Sequence, residues 1–347
     1  MESDAADRRR PYESLDDDDE SGMPAESSWG GVYCASLDCS KHADGSIYRG
    51  THFWHRFYHL ADTRQTILEP MMLSTPTDCR PNTWACKAHR GCAMMQIFSL
   101  KLAHTSAAID GPIHLYGFLA VRDLLNPLRN YIFNRTREDP FVVGQQDGDS
   151  GLFIQMAGPK RGIEMRASVL IEYDMKIKRG QSQEDDLQLI DGAAFFSELT
   201  SLDCRVYKQR IGGDYGAVDI CFSLLRDAVE ATIQVEISQM HHNSGLDFSL
   251  SCSVSRIPPK IELFQGVIAE PGGLNRFVVA AVRGCALTVY LTADQRGGGA
   301  DHARQCYAFR AKAHGHDVEE FKLDYATILV KVSWSTLVPF RVAQGLL

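Results

Sequence analysis

The sequence has no uninterrupted apolar run of membrane-spanning length, and its start, MESDAADRRRPYESLDDDDE, holds no apolar signal-peptide core. Both absences set the expectation of a soluble protein of the cytoplasm or nucleocytoplasm. Also missing are Gly-x-Gly-x-x-Gly, a Walker Gly-Lys-Ser/Thr loop, His-Glu-x-x-His, a Gly-x-Ser-x-Gly elbow and the kinase loop set. The enzyme classes those motifs serve therefore lose their usual signatures. The glycine run Gly297–Gly299 is not followed by Lys-Ser/Thr and reads as a hairpin loop. Net charge is scarce outside one end. Residues 1–30 hold ten Asp/Glu against three Arg, a net of −7 out of −8, so the other 317 residues carry only −1. The body has no bulk electrostatic case for DNA, RNA or anionic membranes, and only a local basic patch could supply one.

What is present is alternation. From Ile163 to Lys178, IEMRASVLIEYDMKIK, apolar side chains fall on odd positions and polar ones on even positions, broken only by Leu170. Period two over sixteen residues marks a strand with one face on a core and the other in water. At about 3.3 Å per residue it would reach roughly 50 Å, so it should be bent, bulged or shared between two packing surfaces. The same period recurs at Val218–Leu224 and, after an expected turn at Arg226-Asp227, at Val229–Ile237, then at Leu246–Val254.

Further strands are expected at Met95–His104, Ile113–Asp123, Leu152–Gly158, Ile261–Ile268, Phe277–Val282, Ala286–Thr292, Cys306–Ala311 and Glu319–Trp334. The last of these changes phase near Ala326-Thr327, which reads as a bulge. Leu124–Val143 reads as a long connection with a short helical turn, and Leu187–Leu199 as a short helix or a strand. Some dozen strands with hairpin-length gaps predict a mainly β fold: an antiparallel β-sandwich, or two related packed β units. The expected organisation is a disordered acidic tail over 1–45, a lead-in over 46–91 and a β-rich body over 92–338, with a division near 180–213.

Candidate chemistry is thin. His52, His55 and His59 would share one helical face, and Cys86-x-x-His89-x-x-Cys92 has Cys79 seven residues upstream of Cys86. Neither set matches a standard zinc framework. No catalytic, cofactor or metal residue is assigned. The ten cysteines are scattered and expected reduced, with Cys221 and Cys252 as small buried side chains. Two basic loops form a candidate anion- or partner-binding set: Arg129, Tyr131, Phe133, Arg135 and Arg137 in one, Lys160 and Arg161 in the other. Converging guanidiniums would grip a phosphate or an acidic segment in bidentate fashion. The competing reading pairs them with Glu138, Asp139 and Glu164.

The stretches YGFLAVRDLLNPLRNYIFNRTREDPF, GPKRGIEMRASVLIEYDMKIK, DDLQLIDGAAFFSEL, AVEATIQVEIS and GLNRFVVAAV resemble a large family of uncharacterised domains of grasses and related plants. The resemblance covers about residues 92–338 and reaches the lead-in around Phe53–Met71. A related domain forms the C-terminal part of jasmonate-induced ribosome-inactivating proteins, whose N-terminal part is an rRNA N-glycosidase. The resemblance thus implies a stress or defence setting. It carries over no catalytic residue. The toxins' helical Glu-Ala-x-Arg meets Glu230, Ala231, Thr232 and Ile233 here, with Ile233 in place of the arginine and within a strand pattern. The leading reading is a non-enzymatic interaction or regulatory module with a protein partner. The alternatives are an RNA- or ribosome-directed enzyme, and a carbohydrate or small-ligand module using Tyr116, Tyr131 or Phe133.

Overall fold

The computed structural model describes residues 34–36, 40–50, 52–66, 89–106, 111–143, 152–197, 204–240, 245–255, 257–295 and 303–337. All fall in one unit, Gly31–Leu347. The acidic stretch of 1–30, Cys79, Cys86 and the glycine run lie outside the described residues.

The chain is built from strands. β1 (Cys34–Ser36) precedes a single-turn helix, α1 (Phe53–Phe57). Then come β2 (Cys92–Thr105), β3 (Ile113–Arg122), β4 (Asn130–Arg135), β5 (Phe141–Val143), β6 (Leu152–Ile154), β7 (Ile163–Glu164), β8 (Val169–Ile177) and β9 (Leu187–Phe196). The second half holds β10 (Val206–Gly213), β11 (Gly216–Met240), β12 (Leu246–Val254), β13 (Ile261–Ile268), β14 (Gly272–Gly273) and β15 (Phe277–Val282). It ends with β16 (Ala286–Gln295), β17 (Ala303–Arg310), β18 (Gly315–Lys322) and β19 (Ala326–Ser335).

Three antiparallel sheets result. A six-stranded sheet runs β1-β9-β8-β3-β4 with β5 on β3; a four-stranded sheet runs β13-β12-β16-β17. Between them in the packing is a nine-stranded sheet, β18-β19-β11-β2-β6, with β10, β14 and β15 also on β11 and β7 on β2. One core forms where the six-stranded sheet meets β2 and the first half of β11, around Leu119, Phe133, Ile171 and Phe222. A second forms where the other half of β11 and β19 meet the four-stranded sheet, around Ile233, Leu250, Val289 and Trp334. Each fully buried aliphatic or aromatic side chain contributes about 1.5–3 kcal/mol. That is why the alternating residues fix which face turns inward. The expected mainly β fold is what the chain adopts: two sandwiches joined through β11 and β2, which both place side chains in each core.

Local expectations change in instructive ways. The stretch 163–178 is divided: β7 pairs with β2 in the nine-stranded sheet, and β8 pairs with β3 and β9 in the six-stranded one. Its even face is not all in water, because Glu172 is fully buried. Arg226-Asp227 is no turn. β11 runs through it for 25 residues, with Asp227 at φ 52 and a register shift against β2 between Leu225 and Ala228. The phase change near Ala326-Thr327 follows a turn, where Leu323 N–H donates to Ala326 O (2.8 Å) and β18 folds back on β19; a register shift lies there too, between Ile237 and Gln239 of β11 opposite Ile328 and Thr327. The connection 124–143 contains β4 and β5, Pro127 and Pro140 falling outside both strands. Leu187–Phe196 is a strand. Structure also begins before residue 46, since β1 pairs with β9 and Ser40–Tyr48 is folded against the sheet.

Candidate functional site

The outer face of the six-stranded sheet carries a buried ionic cluster. Glu172 on β8 points away from the first core and takes Arg122 Nε from β3 at 2.7 Å and Arg129 Nε at 3.1 Å, with Arg129 Nη2 on its other oxygen. His42 is clamped between two carboxylates, Nε2 at 2.9 Å from Glu172 Oε1 and Nδ1 at 2.7 Å from Asp191 Oδ1. The backbone N–H groups of His42 and Ala43 also donate to Asp191. Arg129 lies over the Phe118 ring at 4.1 Å. What seals this cluster is the lead-in: Ile47, Trp54, Tyr58 and Leu60 bury against Leu170 and Ala193. Arg122 in turn donates to the carbonyls of Tyr58, His59, Asp62 and Pro127. Residues 64–66 extend the contact, Thr66 N–H donating to Arg129 O (2.9 Å) and Arg129 N–H to Arg64 O (3.0 Å).

The electrostatics follow from the geometry. Burial alone would raise Glu172, but His42, Arg129 and Arg122 outweigh it and hold the carboxyl at about 2. Burial pulls His42 down, and the hydrogen bonds and charges of Asp191 and Glu172 more than reverse this, leaving it raised. Asp191 is lowered, its bonds to His42 and the adjacent backbone overcoming burial. Burial lowers Arg122 even so, whereas at Arg129 the hydrogen bonds and charge of Glu172 outweigh burial and leave it raised.

A second cluster stands at the start of β7. Arg161 is 1% exposed and grips Asp123 with both Nη atoms, at 2.6 and 2.8 Å. It also donates to Gly162 O, Asn126 O and Thr66 Oγ1. Glu230 of β11 accepts from Gly162 N–H at 2.7 Å. These groups staple the approach to β7 onto the central sheet.

The seven residues proposed from sequence are thereby distributed, not convergent. Arg129 belongs to the Glu172 cluster and Arg161 to Asp123. Phe133 is in the first core, and Tyr131 sets an edge against Phe118. Arg135 pairs with Asp139 (2.9 Å), one of the anticipated acidic partners. Arg137 pairs with Asp186 (2.6 Å), to which Tyr116 also donates. Lys160 N–H donates to Asn130 Oδ1 (2.8 Å). His42 and Glu172 were missed. The cue for them is the apolar density of the lead-in, which needs a surface to cover.

The histidine set does not share a helical face: α1 ends at Phe57, and His59 has φ 46. His55 stacks on Trp54. His89 packs edge-on against His314, and Cys92 opens β2. No cluster of three or more His, Cys, Asp or Glu suited to a metal occurs among the described residues. Cys92, Cys221, Cys252, Cys285 and Cys306 are free thiols; Cys252 is buried as expected and Cys221 half-buried.

The four-stranded sheet offers the contrasting surface. One face, Leu246, Phe248, Leu250, Cys252 and Val254 on β12, is buried in the second core. The other is polar and half-exposed. Register aligns Ser251 with Tyr290 and Tyr290 with Cys306, Ser253 with Thr288, and Ser249 with Thr292 and then Arg304. Tyr290 OH lies 3.3 Å from Ser253 Oγ, and Lys260 Nζ sits 4.3 Å from its ring centre. These side chains form a field of hydroxyls edged by cations.

Fold and surfaces together define a double β-sandwich module whose inner ion pairs are spent on its own architecture. The chain belongs to the family described as a domain of unknown function, DUF6598, matched over residues 94–332. No curated protein matches it. Among solved structures it is similar to human GIVD cytosolic phospholipase A2, at 8% identity and TM-score 0.23 over 72% of this chain and 33% of that one. The chain thus spans about a third of that enzyme's length. It is also similar to the calcium-bound tandem C2 domains of extended-synaptotagmin 2, at 9% identity and TM-score 0.26 over 72% and 98%. Likeness at these TM-scores bears no weight for function. Among the described residues, no helix is long and apolar enough to cross a membrane.

Proposed function

We propose that the chain is a non-enzymatic interaction module that binds a protein partner across the outer face of its four-stranded sheet. The observation that carries this reading is the contrast between that sheet's two sides. One is buried in the second core, and the other aligns Ser249, Ser251, Ser253, Thr288, Tyr290 and Thr292 in adjacent rows. Short hydroxyl side chains lose little rotamer freedom when covered and can donate or accept, which suits a polar interface. On this reading the protein acts in the cytoplasm or nucleocytoplasm, and the stress or defence role implied by its resemblance to the grass domains is exercised through the partner.

The test is affinity capture from cell extract with the wild type and with Ser251→Arg and Thr288→Arg, both at half-exposed positions. A partner held by the wild type and lost with both variants is the expected result. A partner indifferent to both, or none at all, would overturn the proposal.

A further inference from the structure

α1 presents an exposed aromatic pair on a rigid base. Phe53 is 60% exposed and Phe57 57%, four residues apart on the same turn, with ring centres 6.5 Å apart. The turn is firmly seated. Trp54 and Tyr58 bury against the six-stranded sheet, Tyr58 OH donates to Ser168 O (2.5 Å), and Phe53 stacks on Phe195 at an interplanar angle of 10°. Its backbone is satisfied locally, Tyr58 N–H donating to Trp54 O and His55 N–H to His52 O. Cations cluster along this segment, between Asp44, which lies beside Arg49, and Asp62, which is paired with Arg64. From Gly45 to Ala61 the sequence contains Arg49, Arg56, His52, His55 and His59 and no acidic residue. Arg49, Arg56, His52 and His59 are exposed.

Two large apolar rings held out beside cations, in a body of near-zero net charge, form a local patch that the overall charge conceals. We propose that this patch docks on an anionic lipid bilayer surface, with Phe53 and Phe57 entering the headgroup–acyl boundary and Arg49 and Arg56 facing lipid phosphates. Rings that would be costly in water gain an apolar medium at that depth, while the arginines stay at the charged plane. The charge complementarity selects anionic over neutral lipid, and the ring pair selects a bilayer over a purely acidic polymer. This surface is separate from the sheet face assigned to a protein partner, so either can fail alone.

The test is co-sedimentation of the full chain with phosphatidylcholine vesicles with and without phosphatidylserine, at low and high salt. Expected is binding that requires phosphatidylserine and weakens as salt rises. Arg56→Glu should cut partitioning at least about fivefold, the ratio matching loss of roughly one charge's attraction near a surface, and Phe53→Ser with Phe57→Ser, which removes the apolar insertion, should cut it at least as much. Ser251→Arg should leave it unreduced. These side chains are more exposed than buried and Trp54 and Tyr58 still seat the turn, so the variants should remain folded, with a melting temperature only slightly below wild type. As an independent readout, Phe57→Trp should add a blue-shifted emission component on mixing with anionic vesicles. Absence of wild-type binding, binding unaffected by the three substitutions, capture of an acidic protein without vesicle binding, or an unshifted Trp emission would each overturn the proposal.

Discussion

Replacing Glu172 with alanine should be among the most damaging single changes in the first sandwich. The carboxylate is fully buried and receives Arg122 Nε, Arg129 Nε and Nη2, and His42 Nε2. Without it, Arg122 keeps its four carbonyl acceptors and Arg129 keeps the Tyr48 hydroxyl (3.3 Å), so hydrogen bonding survives in part. What disappears is the charge that neutralises two buried guanidiniums. Truncating one partner of such a group costs about 3–5 kcal/mol. The carboxyl's fall from 4.5 to about 2 corresponds independently to about 3 kcal/mol of stabilisation. Against a typical total of roughly 5–15 kcal/mol, that is enough to shift the urea midpoint visibly. The comparison is Arg210→Ala, which breaks a partly exposed bidentate pair with Asp219 and should cost under about 1 kcal/mol. Urea unfolding followed by far-ultraviolet circular dichroism measures both. If Glu172→Ala costs no more than Arg210→Ala, the cluster is not the keystone described above.

Two further outcomes follow from the same structure. His42 is raised above 6.5, so its contribution is complete below that pH and lost as pH climbs through the folded value; Glu172 and Asp191 are lowered, so theirs is lost only as pH falls below their ordinary values of 4.5 and 3.8. The stability difference between wild type and His42→Gln should therefore be largest at about pH 4.5–6.5 and shrink in alkaline buffer, and a difference growing with pH would contradict the assignment. Gly117 has φ +100, and an added Cβ would stand 2.1 Å from Asp174 O on the neighbouring strand, so Gly117→Ala should cost about 2 kcal/mol or more in thermal unfolding.

Much of the scaffold was legible because alternation reports directly which side chains a sheet turns inward. Val229–Ile237 and Leu246–Val254 read correctly for that reason. The failures share one cause: a phase change says that the backbone departs from a flat ribbon, not how. At Arg226-Asp227 it was a bulge inside β11, and at Ala326-Thr327 it followed a hairpin and accompanied a register shift; local composition at the two places gives no rule for choosing. Polar alternation is ambiguous in a second way. Glu172 sits among Arg166, Asp174 and Lys176 on the even positions, yet it alone is fully buried, because its cover comes from His42, 130 residues earlier. Arg129 and Arg161 were noticed as cations but not as structural ones, since their acids lie 43 and 38 residues away.

The family match begins at residue 94, while the segment that seals the Glu172 cluster lies at 40–66, and this separation makes the lead-in's role testable. A chain starting at residue 92 would lose His42, Trp54 and Tyr58 and three of the four carbonyls around Arg122. Water would then reach Arg122 and Arg129 and solvate them whether or not a carboxylate stood between them. Glu172→Ala should accordingly cost about 3–5 kcal/mol in the full chain but under about 1 kcal/mol in the shortened one, since a hydrated pair is worth little. The difference between the two costs is the coupling of the lead-in to the cluster, measured as a double-mutant cycle in which truncation is one of the two changes. Equal costs in both backgrounds would mean that residues 40–66 merely lie on the sheet. A large difference would mean that the sandwich is completed, electrostatically, by a segment outside the stretch that the family model matches.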